Sequence, residues 1–299
     1  MADQVDTSPR RDLTLAVIAF VIALVLWQMH GLAFLTYPLR LFVTMIHELG
    51  HGTTAVLTGG DFGGFRVESS GAGLALTSGG WRFLIIPAGY LGTAIFGAVL
   101  LFLANRSRKP GTIAIGLGFL IGILTLLYSG VRLSNLGLFE MIILAVVIMG
   151  ALYLILTQQT DNGRYAGFGV LALSGLLLMV FTGENNALTV IVGLASALLL
   201  VYLGFRARRD MVLVTLYFLA FITGLHAITD SWVLLRIVTM PRSMMPHNDA
   251  ASMANEYGGV AAFWALLWIV LDVIIFGSAV FYTLIKPWQQ GKTISAQQT

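Results

Sequence analysis

Long apolar runs alternate with short polar joints along this chain. The runs cover about 13–30, 33–58, 82–104, 111–129, 138–158, 165–182, 187–205, 211–236 and 259–285. Runs of about 18 residues or more are long enough to cross the hydrocarbon core as helices. The pattern predicts an all-α polytopic membrane protein of about nine transmembrane helices, multi-pass in the cell membrane. A polar N-terminal tail over 1–12 and a polar C-terminal tail over 287–299 bracket a single membrane domain at 13–286.

Two stretches break the rhythm. Residues 59–81 are rich in Gly and Ser, and Phe65, Val67, Leu74 and Leu76 alternate with other residues on either side of 69–73. That period of two predicts a short membrane-associated β-hairpin over 64–79. Residues 237–258 form the longest polar connection, with two prolines, His247 and Asp249.

Composition agrees with lipid as the main solvent: 58% of the 299 residues are hydrophobic and 10% are charged, against about 25% charged in soluble domains. The basic residues collect between the runs, at Arg10-Arg11, Arg106 to Lys109, Arg206 to Arg209, and Lys286. There they anchor helix ends at the headgroups and give no nucleic-acid surface. With nine alternating crossings these groups fall almost evenly on the two sides, so the positive-inside rule does not orient the chain. The first run follows Arg10, Arg11 and Asp12 without a small-residue cleavage site, which predicts a retained helix. The chain has no cysteine. Disulfides, thiolate ligands and a cysteine nucleophile are thereby excluded, and any metal must be held by His, Asp or Glu.

One run carries chemistry. His47-Glu48-Leu49-Gly50-His51 is an HExxH sequence inside the run 33–58. Residues four apart share a helix face, so His47 and His51 present two imidazoles to one ion. Glu48 is turned about 100° from His47, which suits a general base acting on a metal-activated water rather than a ligand. Three ionisable residues within five positions of an apolar run would be very costly without such a partner.

A catalytic zinc site needs a third protein ligand. Asp230, in Gly224-Leu-His226-Ala-Ile-Thr-Asp230, is the first choice, because Asp230 and His51 lie at similar distances from the ends of their runs. Its competing reading is a local pair with His226, one turn away. Asp249 is the alternative ligand, and its competing reading is an N-cap for a short helix starting at Ala250. Asp272, deeper in the last run, reads as a packing or gating residue. Glu140 at a span start and Glu184 in a turn read as solvated.

With this motif in an apolar helix, the chain resembles the site-2 protease clan of intramembrane zinc proteases, and within it the M50B-like bacterial peptidases. The resemblance rests on His47-Glu-Leu-Gly-His51 running into Leu57-Thr-Gly-Gly60, on Pro87-Ala-Gly-Tyr-Leu-Gly92, and on Asn248-Asp-Ala250 with Ala265-Leu-Leu-Trp268. It implies a zinc cofactor, a water activated by Glu48, and a membrane-embedded protein segment as substrate. It favours neither Asp230 nor Asp249, and neither is followed by the Gly of the Asp-Gly dipeptide found in the better-known members. The 64–79 hairpin is expected to accept an unwound substrate as an added strand.

Two other classes compete: a zinc-binding scaffold that cleaves nothing, and an ion-coupled transporter using acids such as Asp230 and Asp272. Zinc content separates the transporter from the other two. Chelator-sensitive cleavage separates the protease from the scaffold.

Overall fold

The computed structural model describes residues 9–28, 33–129, 187–241 and 248–289, with isolated positions between 147 and 170. The expected runs at 138–158 and 165–182, with Glu140, Glu184 and His247, lie outside the continuously described residues. Nine helices are described: α1 (Pro9–Gln28), α2 (Ala33–Leu57), α3 (Arg82–Ile85), α4 (Ala88–Arg106), α5 (Pro110–Tyr128), α6 (Ala187–Arg206), α7 (Arg209–Val238), α8 (Asp249–Tyr257) and α9 (Ala261–Val280). A π-helical turn, Phe281–Ile285, continues α9.

Six of these are long and apolar enough to cross a membrane: α1, α4, α5, α6, α7, and α9 with its extension. The count therefore departs from nine. Two expected spans fall outside the described residues, and α2 is not among the six. Arg40, His47, Glu48 and His51 make α2 too polar over its length. The run expected at 82–104 also divides, into the single turn α3 and then α4 after Pro87.

Small residues let the helices approach closely, as expected where lipid offers no hydrophobic drive for helix association. Gly111 of α5 lies against the backbone of Gly204 in α6, and Gly118 against that of Ala197. Gly97 of α4 lies against Ala220 of α7. Helix α1 is fastened to the start of α7 by two reciprocal ion pairs. Arg11 pairs with Asp210, and Arg209 grips Asp12 with both terminal nitrogens at 2.8 and 2.9 Å. Arg11 and Asp12, expected in a polar tail, therefore belong to the first helix.

The hairpin forms, four residues longer at its start than the alternation predicts. Strand β1 (Gly60–Val67) runs antiparallel to β2 (Gly73–Gly79), with a bulge between Phe62 and Gly64. Phe62, Phe65 and Val67 are buried, whereas β2 is largely exposed. Phe62 lies where Gly52 of α2 leaves space, and its ring stacks on Tyr128 at the end of α5. The turn closes through Gly71 N–H donating to Glu68 O at 2.9 Å, with Gly71 at φ 84°, a conformation that favours glycine. That turn is held to α2, because Thr44 Oγ1 donates to Gly71 O and Tyr37 Oη to Ser69 O, both at 2.9 Å. β1 therefore packs inward and β2 keeps an open edge.

Candidate metal centre

Helix geometry places His47 and His51 one above the other on α2, with Nε2 atoms 3.1 Å apart. Asp249, from α8, brings Oδ2 to 3.7 Å from His47 Nε2 and 3.6 Å from His51 Nε2. Among the described residues this is the group of His, Asp and Glu able to hold a metal ion. Two ligands held about 2.0–2.1 Å from a tetrahedral zinc are about 3.3 Å apart, so the three spacings fit that ion. The donor set, two imidazoles and one carboxylate, also matches catalytic zinc chemistry.

The two imidazoles are oriented by the segment 85–90. His51 Nδ1–H donates to the Ile85 carbonyl at 2.7 Å, which leaves Nε2 as the free acceptor facing the group. His47 meets the Tyr90 ring edge-on, with centroids 4.6 Å apart, and Tyr90 stacks on Trp268 at 5.6 Å. Gly89 lies directly over the two imidazoles, where a Cβ would strike both.

Asp249 owes its freedom to its neighbour. Asn248 is the N-cap of α8, its Oδ1 accepting from Ala251 N–H at 2.9 Å. Asp249 is therefore the first helical residue and turns its carboxylate to the histidines. Burial raises the affinity of that carboxyl for a proton, but His51 and His47 outweigh it and hold Asp249 below the ordinary carboxylate range.

Glu48 is buried beside the group, against Gly73 at the start of β2. A Cβ at position 73 would overlap the Glu48 carboxyl. The group opens into a cavity of about 1400 Å³ between β2, α7 and α8.

Asp230 is not brought to the histidines. It faces its own helix neighbour, His226 Nδ1, at 3.8 Å, and lines the wall of the same cavity. Asp249, the alternative, is the carboxylate that meets them. Asp272 is fully buried and accepts from Ser231 Oγ at 2.7 Å, tying α9 to α7. Ile85 and Gly73 carry no motif of their own, and Tyr90 lies in the Pro87–Gly92 stretch. Only the Pro87–Gly92 stretch gave a sign that this segment mattered.

No curated protein and no solved structure matches the chain. The family profile described as Peptidase M50B-like matches residues 15–164 and 143–279. An HExxH helix beside a carboxylate, in a bundle of apolar helices and matched along nearly its whole length, makes this chain a member of the Peptidase M50B-like family.

Proposed function

We propose that the protein is an intramembrane zinc metalloprotease in which His47, His51 and Asp249 hold the metal and Glu48 is the general base. The observation that carries this reading is the meeting of three spaced donors with a buried carboxyl on the same helix. Zinc held by these residues would supply a Lewis acid and a more acidic water. Glu48 is placed to take a proton from a water as its oxygen bonds to the scissile carbonyl carbon, and to hand that proton to the amine nitrogen as the C–N bond breaks. Glu48 is buried at the cavity wall, and the absence of a side chain at Gly73 leaves room for its carboxyl.

The substrate is a membrane-embedded protein segment that must unwind, because a helical peptide bond is shielded by its own turn. The open edge of β2 offers unpaired backbone groups along the cavity wall, and we assign it to the unwound segment as an added strand. Glu48→Gln should lower cleavage of a model transmembrane peptide by about 10²–10⁴-fold, the usual worth of a general base, while the purified variant keeps its zinc. Full cleavage by that variant would remove Glu48 from the chemistry. Absence of zinc from the wild-type protein, purified with zinc supplied, would remove the metal.

A further inference from the structure

Peptide hydrolysis makes a second electrostatic demand besides the proton carried by Glu48. When the water oxygen bonds to the scissile carbonyl carbon, the C=O π pair moves onto the carbonyl oxygen, which becomes an anion. A donor aimed at that oxygen, and fixed in place before the reaction, stabilises it. The donors that line the cavity differ in how far they are already used. Thr44 Oγ1 donates to Gly71 O, Thr229 Oγ1 to Leu225 O, and Ser252 Oγ to Asn248 O. Arg82 is paired with Glu256, and His226 Nδ1 faces Asp230.

Tyr90 differs from these. It is partly buried in the cavity wall, and its hydroxyl makes no hydrogen bond among the described residues. That oxygen is not among the sealed, unpartnered polar atoms either, so it faces the open cavity. The ring, by contrast, is held on two sides. It meets His47 edge-on, at an interplanar angle of 88°, and stacks on Trp268 at 23°. Trp268 is itself buried with Ile86, Leu234 and Met253, and Tyr90 packs against this cluster. An apolar body and a polar tip suit a tyrosine to such a boundary between core and wet cavity. Asp249, Asp230 and Glu48 lie close enough to act electrostatically on the phenol.

We infer that Tyr90 is a catalytic residue, its hydroxyl donating a hydrogen bond to the scissile carbonyl oxygen as negative charge develops there. This role rests on the protease reading. Glu48 and Tyr90 then serve different atoms from different walls: Glu48, against Gly73 of β2, handles the proton of the water, and Tyr90, on α4, holds the carbonyl oxygen. The phenol keeps its proton throughout. As the C–N bond breaks, the electron pair on that oxygen re-forms the C=O bond, the water's oxygen stays on the carbon in the new carboxyl group, and the hydrogen bond weakens. Because the ring is fixed between His47 and Trp268, the donor needs no reorganisation at the moment of attack.

Tyr90→Phe separates the hydroxyl from the ring, since phenylalanine can keep both ring contacts. The variant should retain its zinc and its Tm. Its kcat on a model transmembrane peptide should fall about 10²-fold, the usual worth of one such donor, with KM unchanged. A phosphinic peptide of the same sequence carries a tetrahedral centre with an anionic oxygen in place of the planar carbonyl. It should bind the variant at least about tenfold more weakly than the wild type, because the lost contact belongs to the transition state. Full kcat in Tyr90→Phe, or unchanged affinity for the phosphinic peptide, would overturn the role. So would loss of zinc or a lowered Tm in that variant, which would make the hydroxyl a prop of the metal group. A zinc-loaded wild type that cleaves nothing would remove the protease reading and this role with it. A wild type that cleaves, matched by Tyr90→Phe, would remove this role alone.

Discussion

Gly73 and Glu48 set a test at the scale of one methyl group. A Cβ at position 73 would occupy the space of the Glu48 carboxyl, and the three atoms nearest to it all belong to Glu48. Gly73→Ala should therefore cut cleavage at least tenfold and leave zinc content unchanged. Gly89→Ala should lower zinc content instead, because its Cβ would meet both imidazoles. Metal analysis beside peptide cleavage separates the two. At this scale the sequence already showed His47, Glu48 and His51, because an i,i+4 pair on one helix is a local relation. The two aspartates were harder to rank. Depth along a run favoured Asp230, but α8 folds back over the histidines and brings Asp249 to them from a polar connection. Asp249→Asn should lower zinc affinity steeply and Asp230→Asn should not, as read by metal content after dialysis against a fixed zinc buffer.

Among the elements, the hairpin links sequence to substrate. Its alternating apolar residues were legible because one strand is buried, and the buried side chains of β1 fix the register. The opening Gly60–Gly63 stretch was not, since glycines give no alternation to read. Leu74 and Leu76, on one face of β2, are about half exposed beside the cavity. Replacing both with Lys should raise KM for a transmembrane peptide several-fold with zinc retained, since lysines on an edge strand oppose strand addition. An unchanged KM would exclude β2 as the docking edge. Helix α8 makes a second test. Removing its cap with Asn248→Ala should cost about 1 kcal/mol locally, seen as weaker zinc binding with Asp249 still present.

At the level of the molecule, zinc would join α2 to α8, two elements separated by nearly two hundred residues of chain. Zinc at 100 times its dissociation constant should stabilise the fold by about 2.7 kcal/mol. That appears as a rise in Tm of the detergent-solubilised protein, and Asp249→Ala should abolish it. The class of the molecule was plain from its apolar runs. The arrangement of its ends was not, because ion pairs such as Arg209 with Asp12 join residues far apart in the chain. Helix α2 carries a last consequence, for biosynthesis. It is too polar to be counted with the six spanning helices, and it packs on α4 and β1, which emerge later from the ribosome. A nascent chain ending before Ala88 should leave α2 open to added protease. The same segment should become resistant once α4 and α7 have followed it, so the helix that carries the chemistry takes its place only after the helices that shelter it.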